Sequence, residues 1–183
     1  KEVGYSEDSY SPHRFDITDY LVEGENLLAV KVHKFCDGTW FEDQDMIYDG
    51  GIFRDVYLTS EPLVKIEDYV VVTDLDENYE NAVLSVKADV RNLSTEAQSG
   101  WSIAVQAFDE DGKDILGGAS IAVDEVASTE TESFSVDISV EKPELWSAEK
   151  PNLYALVLTL KDGEGKVVEH LSTQLGFREI EFT

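Results

Sequence analysis

Cysteine and basic residues are both scarce in this chain of 183 residues, and each scarcity excludes a class of function. Cys36 is the single cysteine, so the chain can form neither an intrachain disulfide nor a cysteine-based metal cluster. No histidine-bearing motif accompanies it, and we predict a half-buried packing residue in a strand rather than a nucleophile. With 14 basic and 39 acidic side chains, the net charge of −25 predicts no nucleic acid and no anionic membrane as partner, since the surface would repel phosphates.

Long apolar runs and helical periodicity are lacking as well. No run approaches the roughly 20 residues of a membrane-spanning helix, and the N-terminal KEVGYSED has no apolar signal core. Cytoplasm is the default compartment; a periplasmic or secreted location stays open, because a chain that begins inside a longer protein would have lost its signal peptide. No segment keeps an apolar 3.6-residue period over three turns, so we expect little helix.

Short strand-like runs are what the chain has in abundance. The dipeptide Glu61-Pro62 ends a strand, because proline cannot donate to a β-ladder, and we place a domain boundary there, between 1–61 and 62–183. Seven short strands separated by turns rich in Asp and Gly predict an immunoglobulin-like β-sandwich. The predicted strands are 64–73, 82–92, 101–109, 115–123, 132–140, 153–161 and 167–182.

The alternation of apolar and polar residues predicts which side of each strand is buried. We expect Trp101 and Trp146 to pack against the sandwich rather than to bind sugars, since each is large enough to bury about 200 Å². Upstream of the boundary, the same alternation predicts three further strands, 14–17, 27–35 and 52–59, the first and second separated by a turn at 23–26. The predicted core faces carry Leu84, Val86, Ala88 and Val90, then Ile103, Val105 and Ala107 or their neighbours, and finally Leu156, Leu158 and Leu160.

The stretch from Trp40 to Leu58 holds the densest chemistry. Asp43, Gln44 and Asp45 supply oxygen ligands beside the flat apolar face of Trp40, a combination that suits a carbohydrate. The same carboxylates suit a hard cation. A solvated acidic loop and an acid–base pair of Asp43 and Asp45, about 6 to 7 Å apart on an extended backbone, stay open as alternatives.

Several motifs, taken together, resemble the β-galactosidases of glycoside hydrolase family two. Gly-Ile-Phe-Arg-Asp-Val at 51–56 is typical of the family broadly, which also holds β-glucuronidases and β-mannosidases, and Glu-Asp-Gln-Asp-Met at 42–46 resembles its large β-galactosidases. The resemblance runs the length of the chain. It also rests on 15–17, 24–26, 145–149, 151–154 and 176–178.

The resemblance implies a domain map and one site residue. Residues 1–61 would be the C-terminal part of a jelly-roll sugar-binding domain, and 62–183 an immunoglobulin-like linker domain that leads into a (β/α)₈ catalytic barrel. By the same resemblance Asp45 would contact the galactose hydroxyls and a bound sodium ion shared with the barrel, with Asp43, Gln44 and Trp40 as weaker candidates. The catalytic glutamates and the magnesium ligands would lie on the barrel, so no catalytic residue is assigned in this chain.

The expected function is therefore that of a non-catalytic piece of a retaining β-galactosidase, inactive alone. Its partners would be a β-galactoside and the rest of the same polypeptide, and unpaired strand edges before Glu61 predict a homo-oligomer. One rival is a free carbohydrate-binding or adhesion module. Another keeps the enzyme but makes the parent a β-glucuronidase or β-mannosidase.

Overall fold

The computed structural model describes residues 1–7, 10–41 and 50–180, and the chain divides into two compact units, Lys1–Thr59 and Ser60–Thr183. The second unit contains seven strands that form two antiparallel sheets, as the sequence predicts. The three-stranded sheet has the order β1-β2-β5 and the four-stranded sheet the order β4-β3-β6-β7. The strands are β1 Val64–Leu75, β2 Ala82–Asn92, β3 Gln98–Phe108, β4 Ala119–Val126, β5 Thr131–Val140, β6 Tyr154–Lys161 and β7 Val167–Leu175.

Two strand boundaries differ from the prediction by four residues or more, each for a local reason. Strand β4 begins at Ala119 rather than 115, because Gly117 and Gly118 adopt φ values of +65° and +90°, which interrupt an extended strand. Strand β7 ends at Leu175, and the residues after it leave the sheet to contact other elements. The fourth strand pairs with the third, so the sandwich departs from the constant-type immunoglobulin arrangement, in which the fourth strand joins the opposite sheet.

The core lies between the two sheets and follows the predicted alternation. In β2, Leu84, Val86 and Val90 are fully buried, while the intervening Val83 and Lys87 are exposed. In the other sheet, register brings Ile103 opposite Leu160 and Val105 opposite Leu158. Burial of apolar side chains of this size stabilises a fold by about 1.5 to 3 kcal/mol each. Trp101 is half-buried against this core, as predicted.

Two turns of the sandwich use the same aspartate device. Asp109 Oδ1 accepts hydrogen bonds from the backbone N–H groups of Asp111 and Lys113, at 3.1 and 2.8 Å. Asp162 Oδ1 accepts the equivalent pair from Glu164 and Lys166, at 3.0 and 2.9 Å. In a turn, such side-chain oxygens accept hydrogen bonds from backbone N–H groups that have no neighbouring strand to donate to. The two turns confirm the prediction that Asp-rich and Gly-rich turns separate the strands.

A buried asparagine closes one end of the sandwich. The Asn92 side chain is completely buried, and its Nδ2 donates to the backbone oxygens of Glu96 and Val126 at 2.8 and 3.1 Å. Its Oδ1 accepts from the backbone N–H and the hydroxyl of Ser94, at 2.9 and 2.6 Å. Asn92-Leu93-Ser94 matches the glycosylation triplet, but in the folded unit the Asn92 amide already donates to protein oxygens and is out of reach of solvent.

The first unit is built differently. Its helical elements are a 3-10 helix, Thr18–Tyr20, and a four-residue α-helix, Gly38–Phe41. The three strands predicted at 14–17, 27–35 and 52–59 are wrong for the described residues, which form none. A strand requires ladder hydrogen bonds to a neighbour, and the backbone bonds recorded in this unit close local turns, such as Tyr20 N–H to Ile17 O at 2.9 Å.

The turn at 23–26 forms as predicted. Gly24 has φ +94°, and Asn26 Nδ2 donates to Val22 O at 2.8 Å. Cys36 is half-buried as predicted, but it lies next to the short helix instead of in a strand. Across the described ranges 1–7, 10–41 and 50–180, none of the helices has the length and apolar character needed to span a membrane.

Candidate functional site

The predicted sugar-binding stretch begins on the short helix Gly38–Phe41, which presents Trp40. The Cys36 N–H donates to Thr39 Oγ1 at 3.1 Å, and the backbone N–H of Thr39 donates to Cys36 O at 3.1 Å, which closes the turn. Trp40 is 79% exposed and stacks on Phe35, with ring centroids 6.5 Å apart and an interplanar angle of 28°. One indole face is thus supported by a second ring while the side chain stays open to solvent, an arrangement that suits stacking on a sugar ring.

Asp43, Gln44 and Asp45 lie outside the described residues, so their predicted roles stay predictions. Within the described ranges, no group of three or more His, Cys, Asp or Glu side chains comes together as a metal site. The sodium contact of Asp45 stays a prediction from the family resemblance, with which the chemistry of a carboxylate agrees, since it accepts hydrogen bonds and binds hard cations.

The motif Gly-Ile-Phe-Arg-Asp-Val at 51–56 is anchored within the first unit. Gly51 has φ +98° and open space around it, so the turn requires glycine for its backbone conformation. The Phe53 ring lies 5.6 Å from that of Tyr10, and Arg54 donates to Tyr10 O at 3.4 Å. Further along, Tyr57 donates to Asp55 Oδ2 at 2.8 Å, and this hydrogen bond raises the pKa of the Tyr57 hydroxyl.

A second group of motifs, far apart in sequence, converges in the sandwich. The segments 145–154 and 176–178 meet through the hydrogen bond from Trp146 N–H to Phe177 O at 2.9 Å. Asn152 Nδ2 donates to Leu145 O at 3.0 Å, which ties the loop to itself. The Arg178 guanidinium lies 4.8 Å from the centre of the Trp146 ring. Trp146 is half-buried, which agrees with its predicted packing role, but its partner Arg178 was not foreseen from the sequence.

These features assign the chain to a structural class. An antiparallel sandwich of three and four strands, preceded by a separate unit that exposes a supported tryptophan, places the chain among all-β proteins with an immunoglobulin-like domain. The family model "Glycosyl hydrolases family 2" matches residues 64–178, and "Glycosyl hydrolases family 2, sugar binding domain" matches residues 1–62. The chain belongs to glycosyl hydrolases family 2, as its motifs predicted.

Individual relatives agree with this assignment. The chain is 44% identical over 179 residues to the β-galactosidase of Priestia megaterium, covering 98% of this chain and 17% of the relative. It is 38% identical over 186 residues to the β-galactosidase of Vibrio cholerae, covering 99% of this chain and 18% of the relative. Among solved structures it resembles Bacteroides uniformis β-glucuronidase 2 covalently bound to cyclophellitol-6-carboxylate aziridine, with a TM-score of 0.66 and 27% identity over 76% of this chain and 17% of that one.

The fraction of each relative's length that this chain covers is as informative as the percentage identity. The chain spans 17% to 19% of the length of the curated relatives it matches. Similarity to so small a part of each enzyme assigns this chain to the family. The activity of the whole enzyme is a matter for inference.

Proposed function

We propose that this chain supplies a sugar-binding loop and a linker sandwich to a retaining β-galactosidase whose catalytic barrel lies elsewhere in the polypeptide. The observation that carries the proposal is the 44% identity to a β-galactosidase over 98% of the chain, at only 17% of that enzyme's length. The parent enzyme would hydrolyse terminal β-D-galactosides through a covalent galactosyl intermediate, with both catalytic carboxylates outside this chain. The chain alone would bind weakly and hydrolyse nothing.

Within this proposal Asp45 is the residue that reaches the substrate. An ionised carboxylate can accept a hydrogen bond from a sugar hydroxyl and ligate sodium at the same time. Asp43 and Gln44 would support the loop, and the exposed face of Trp40, backed by Phe35, would line the approach to the site. Sodium and magnesium would be completed by ligands on the barrel, so we expect neither ion to bind tightly to this chain.

A second candidate keeps the reaction class and changes the sugar. The structural similarity to a β-glucuronidase, at a TM-score of 0.66, favours a glucuronide-hydrolysing parent as the alternative, with a mannoside-hydrolysing parent beside it. Contacts that distinguish a galactose hydroxymethyl group from a glucuronate carboxylate would come from the barrel, so substrate comparison decides between the sugars.

The first experiment compares this chain with the chain extended through the following several hundred residues of its gene. Both are assayed with chromogenic β-galactoside, β-glucuronide and β-mannoside. We expect only the extended chain to be active, with the galactoside preferred. In the extended chain, Asp45→Ala is expected to lower kcat/KM by about tenfold or more and to weaken the sodium dependence at constant ionic strength.

The matched control is Asp19→Ala, which removes an exposed carboxylate from the 3-10 helix of the same unit. We expect that variant to keep the rate and the sodium dependence. A gene that ends near Thr183, with galactoside binding by the short chain alone, would instead establish the free carbohydrate-binding module. Preference for the glucuronide or mannoside would change the parent's substrate and leave the domain assignment intact.

A further inference from the structure

Residues 176–179 leave the sheet after β7, yet each of them is held by a different contact in the sandwich unit. At Gly176 the backbone passes directly beside an indole: a Cβ there would lie 3.0 Å from Trp146 Cβ and 3.1 Å from Trp146 Cγ. Gly176 is not among the glycines with positive φ, so a side chain at this position would be opposed by the nearby indole rather than by the backbone conformation.

Phe177 inserts the segment into the core. Its side chain is completely buried, and it meets Tyr154 edge-on, with ring centroids 5.3 Å apart and an interplanar angle of 85°. The Tyr154 hydroxyl accepts a hydrogen bond from the Glu144 N–H at 2.8 Å, which fixes the ring that Phe177 contacts. The Phe177 carbonyl in turn accepts from the Trp146 N–H, so backbone and side chain are both engaged.

The next two residues attach the segment to a second element, strand β1. Arg178 places its guanidinium over the Trp146 ring, while its carbonyl accepts a hydrogen bond from Thr73 Oγ1 at 2.9 Å. Glu179 Oε2 accepts from the Leu75 N–H at 3.2 Å. Residues 176–179 thus contact the loop that carries Trp146 on one side and the end of β1 on the other.

We propose that Trp146 is a positioning residue. With the end of β1 it forms a clamp that holds the segment after β7, residues 176–179, rigidly on the sandwich. A short chain segment anchored on two sides cannot pivot, so residues 176–179 keep a fixed orientation relative to the sandwich. That this orientation positions a catalytic domain rests on the proposed function, in which such a domain follows the segment. The clamp itself does not depend on that function.

Hydrogen exchange followed by NMR tests the clamp in this chain. Trp146→Leu removes the indole against which Gly176 and Arg178 pack, and we expect the amides of residue 146 and Leu75, which donate into the segment, to exchange about tenfold faster. The amides of β2 and β6 are expected to stay unchanged. Trp146→Phe keeps a flat ring under Arg178 and is expected to restore most of the protection.

The matched control is Trp101→Leu, which removes a half-buried indole elsewhere in the same sandwich. It is expected to speed exchange across its own sheet without a selective effect on Leu75 and residue 146. Faster exchange in β2 and β6 to the same degree after Trp146→Leu would reduce Trp146 to a general packing residue and overturn the clamp. Unchanged exchange at Leu75 and residue 146 would overturn it as well.

Activity of the extended chain tests the positioning role separately. We expect Trp146→Leu to lower kcat/KM for the chromogenic galactoside by about threefold or more, Trp146→Phe to restore it, and Trp101→Leu to leave it unchanged below the unfolding transition. Loosened exchange with full activity would overturn the positioning role. If the extended chain hydrolyses no glycoside, the proposed function fails, while the exchange results still decide whether the clamp exists.

Discussion

The two units of this chain use the same kinds of residue to opposite effect. In the sandwich Leu158 is 1% exposed, because strands on the facing sheet cover the side to which it points. In the first unit Leu28 is 63% exposed and its neighbour Leu27 is 97% exposed, although Leu28 lies on the apolar face of a run with equally clear alternation. Alternation therefore states which residues can be buried together, but only a second sheet with complementary faces makes the burial happen.

Polar residues show the same contrast. Asn92 in the sandwich and Asn26 in the first unit each donate from Nδ2 to backbone carbonyls and accept at Oδ1. The Asn92 bonds are sheltered from water, whereas those of Asn26 lie at an exposed turn. A hydrogen bond that water can replace contributes little to stability, and one that water cannot reach is costly to lose.

The largest expected effect comes from a matched pair of leucine truncations. Leu158→Ala leaves a cavity between the two sheets and is expected to lower the free energy of unfolding by about 3 kcal/mol. Leu27→Ala removes a side chain that already faces water, with an expected change below about 0.5 kcal/mol. Urea unfolding of both variants and the parent chain measures the difference. Similar losses for the two variants would mean that the first unit has a core of its own.

A matched pair of asparagine substitutions is expected to give the next largest effect. Asn92→Asp turns a buried donor into a carboxylate facing the carbonyls of Glu96 and Val126, and is expected to cost about 2 kcal/mol or more at neutral pH. Asn26→Asp is expected to cost about 0.5 kcal/mol, because water can solvate the new charge. The carboxyl placed at position 92 would have a raised pKa, so its stability deficit is expected to shrink as the pH falls towards 4. A pH-independent deficit would contradict this account.

The smallest effect on stability, and the clearest on association, is expected from removing residues 1–59. The apolar core cluster is drawn from residues 64–177, so the sandwich alone is expected to unfold at nearly the same urea concentration. Exposed side chains such as Leu27, Trp40, Phe41 and Leu58 would be removed, and with them an apolar surface of the kind that drives association. Sedimentation velocity is expected to show a dimer or larger species for the whole chain and a monomer for residues 60–183. A monomeric whole chain would refute the predicted homo-oligomer.

How far the sequence predicts the fold depends on the unit. Strand β2 was predicted with both of its ends and its buried face, because its alternation is regular and asparagines stand just before it and at its last position. The strand predicted at 27–35 has alternation of the same quality but no hydrogen-bonding neighbour among the described residues. The alternation predicted β2 correctly and the strand at 27–35 wrongly, because strand formation is a property of pairs.

The candidate site divides in a similar way. Trp40 is exposed, as stacking on a sugar would require, while the Asp45 assignment stays a prediction that the family resemblance implies. The sequence indicates only part of the clamp. Its motifs at 145–154 and 176–178 stood out separately, but nothing in either predicts that the Arg178 guanidinium lies on the Trp146 ring or that Thr73 reaches the Arg178 carbonyl.

By itself, the sequence determined the family through its motifs. It also determined the all-β class, the seven strands of the sandwich and the residues of its core, since these depend on composition and on a period of two along each strand. Only the tertiary structure decided that β4 pairs with β3, that Asn92 is sealed inside and that residues 176–179 are gripped between a loop and β1. Those outcomes depend on contacts between segments up to about a hundred positions apart, as in the hydrogen bond between Thr73 and Arg178, where the separation is 105. The local alternation of apolar and polar residues does not specify which distant segment a strand or loop will contact.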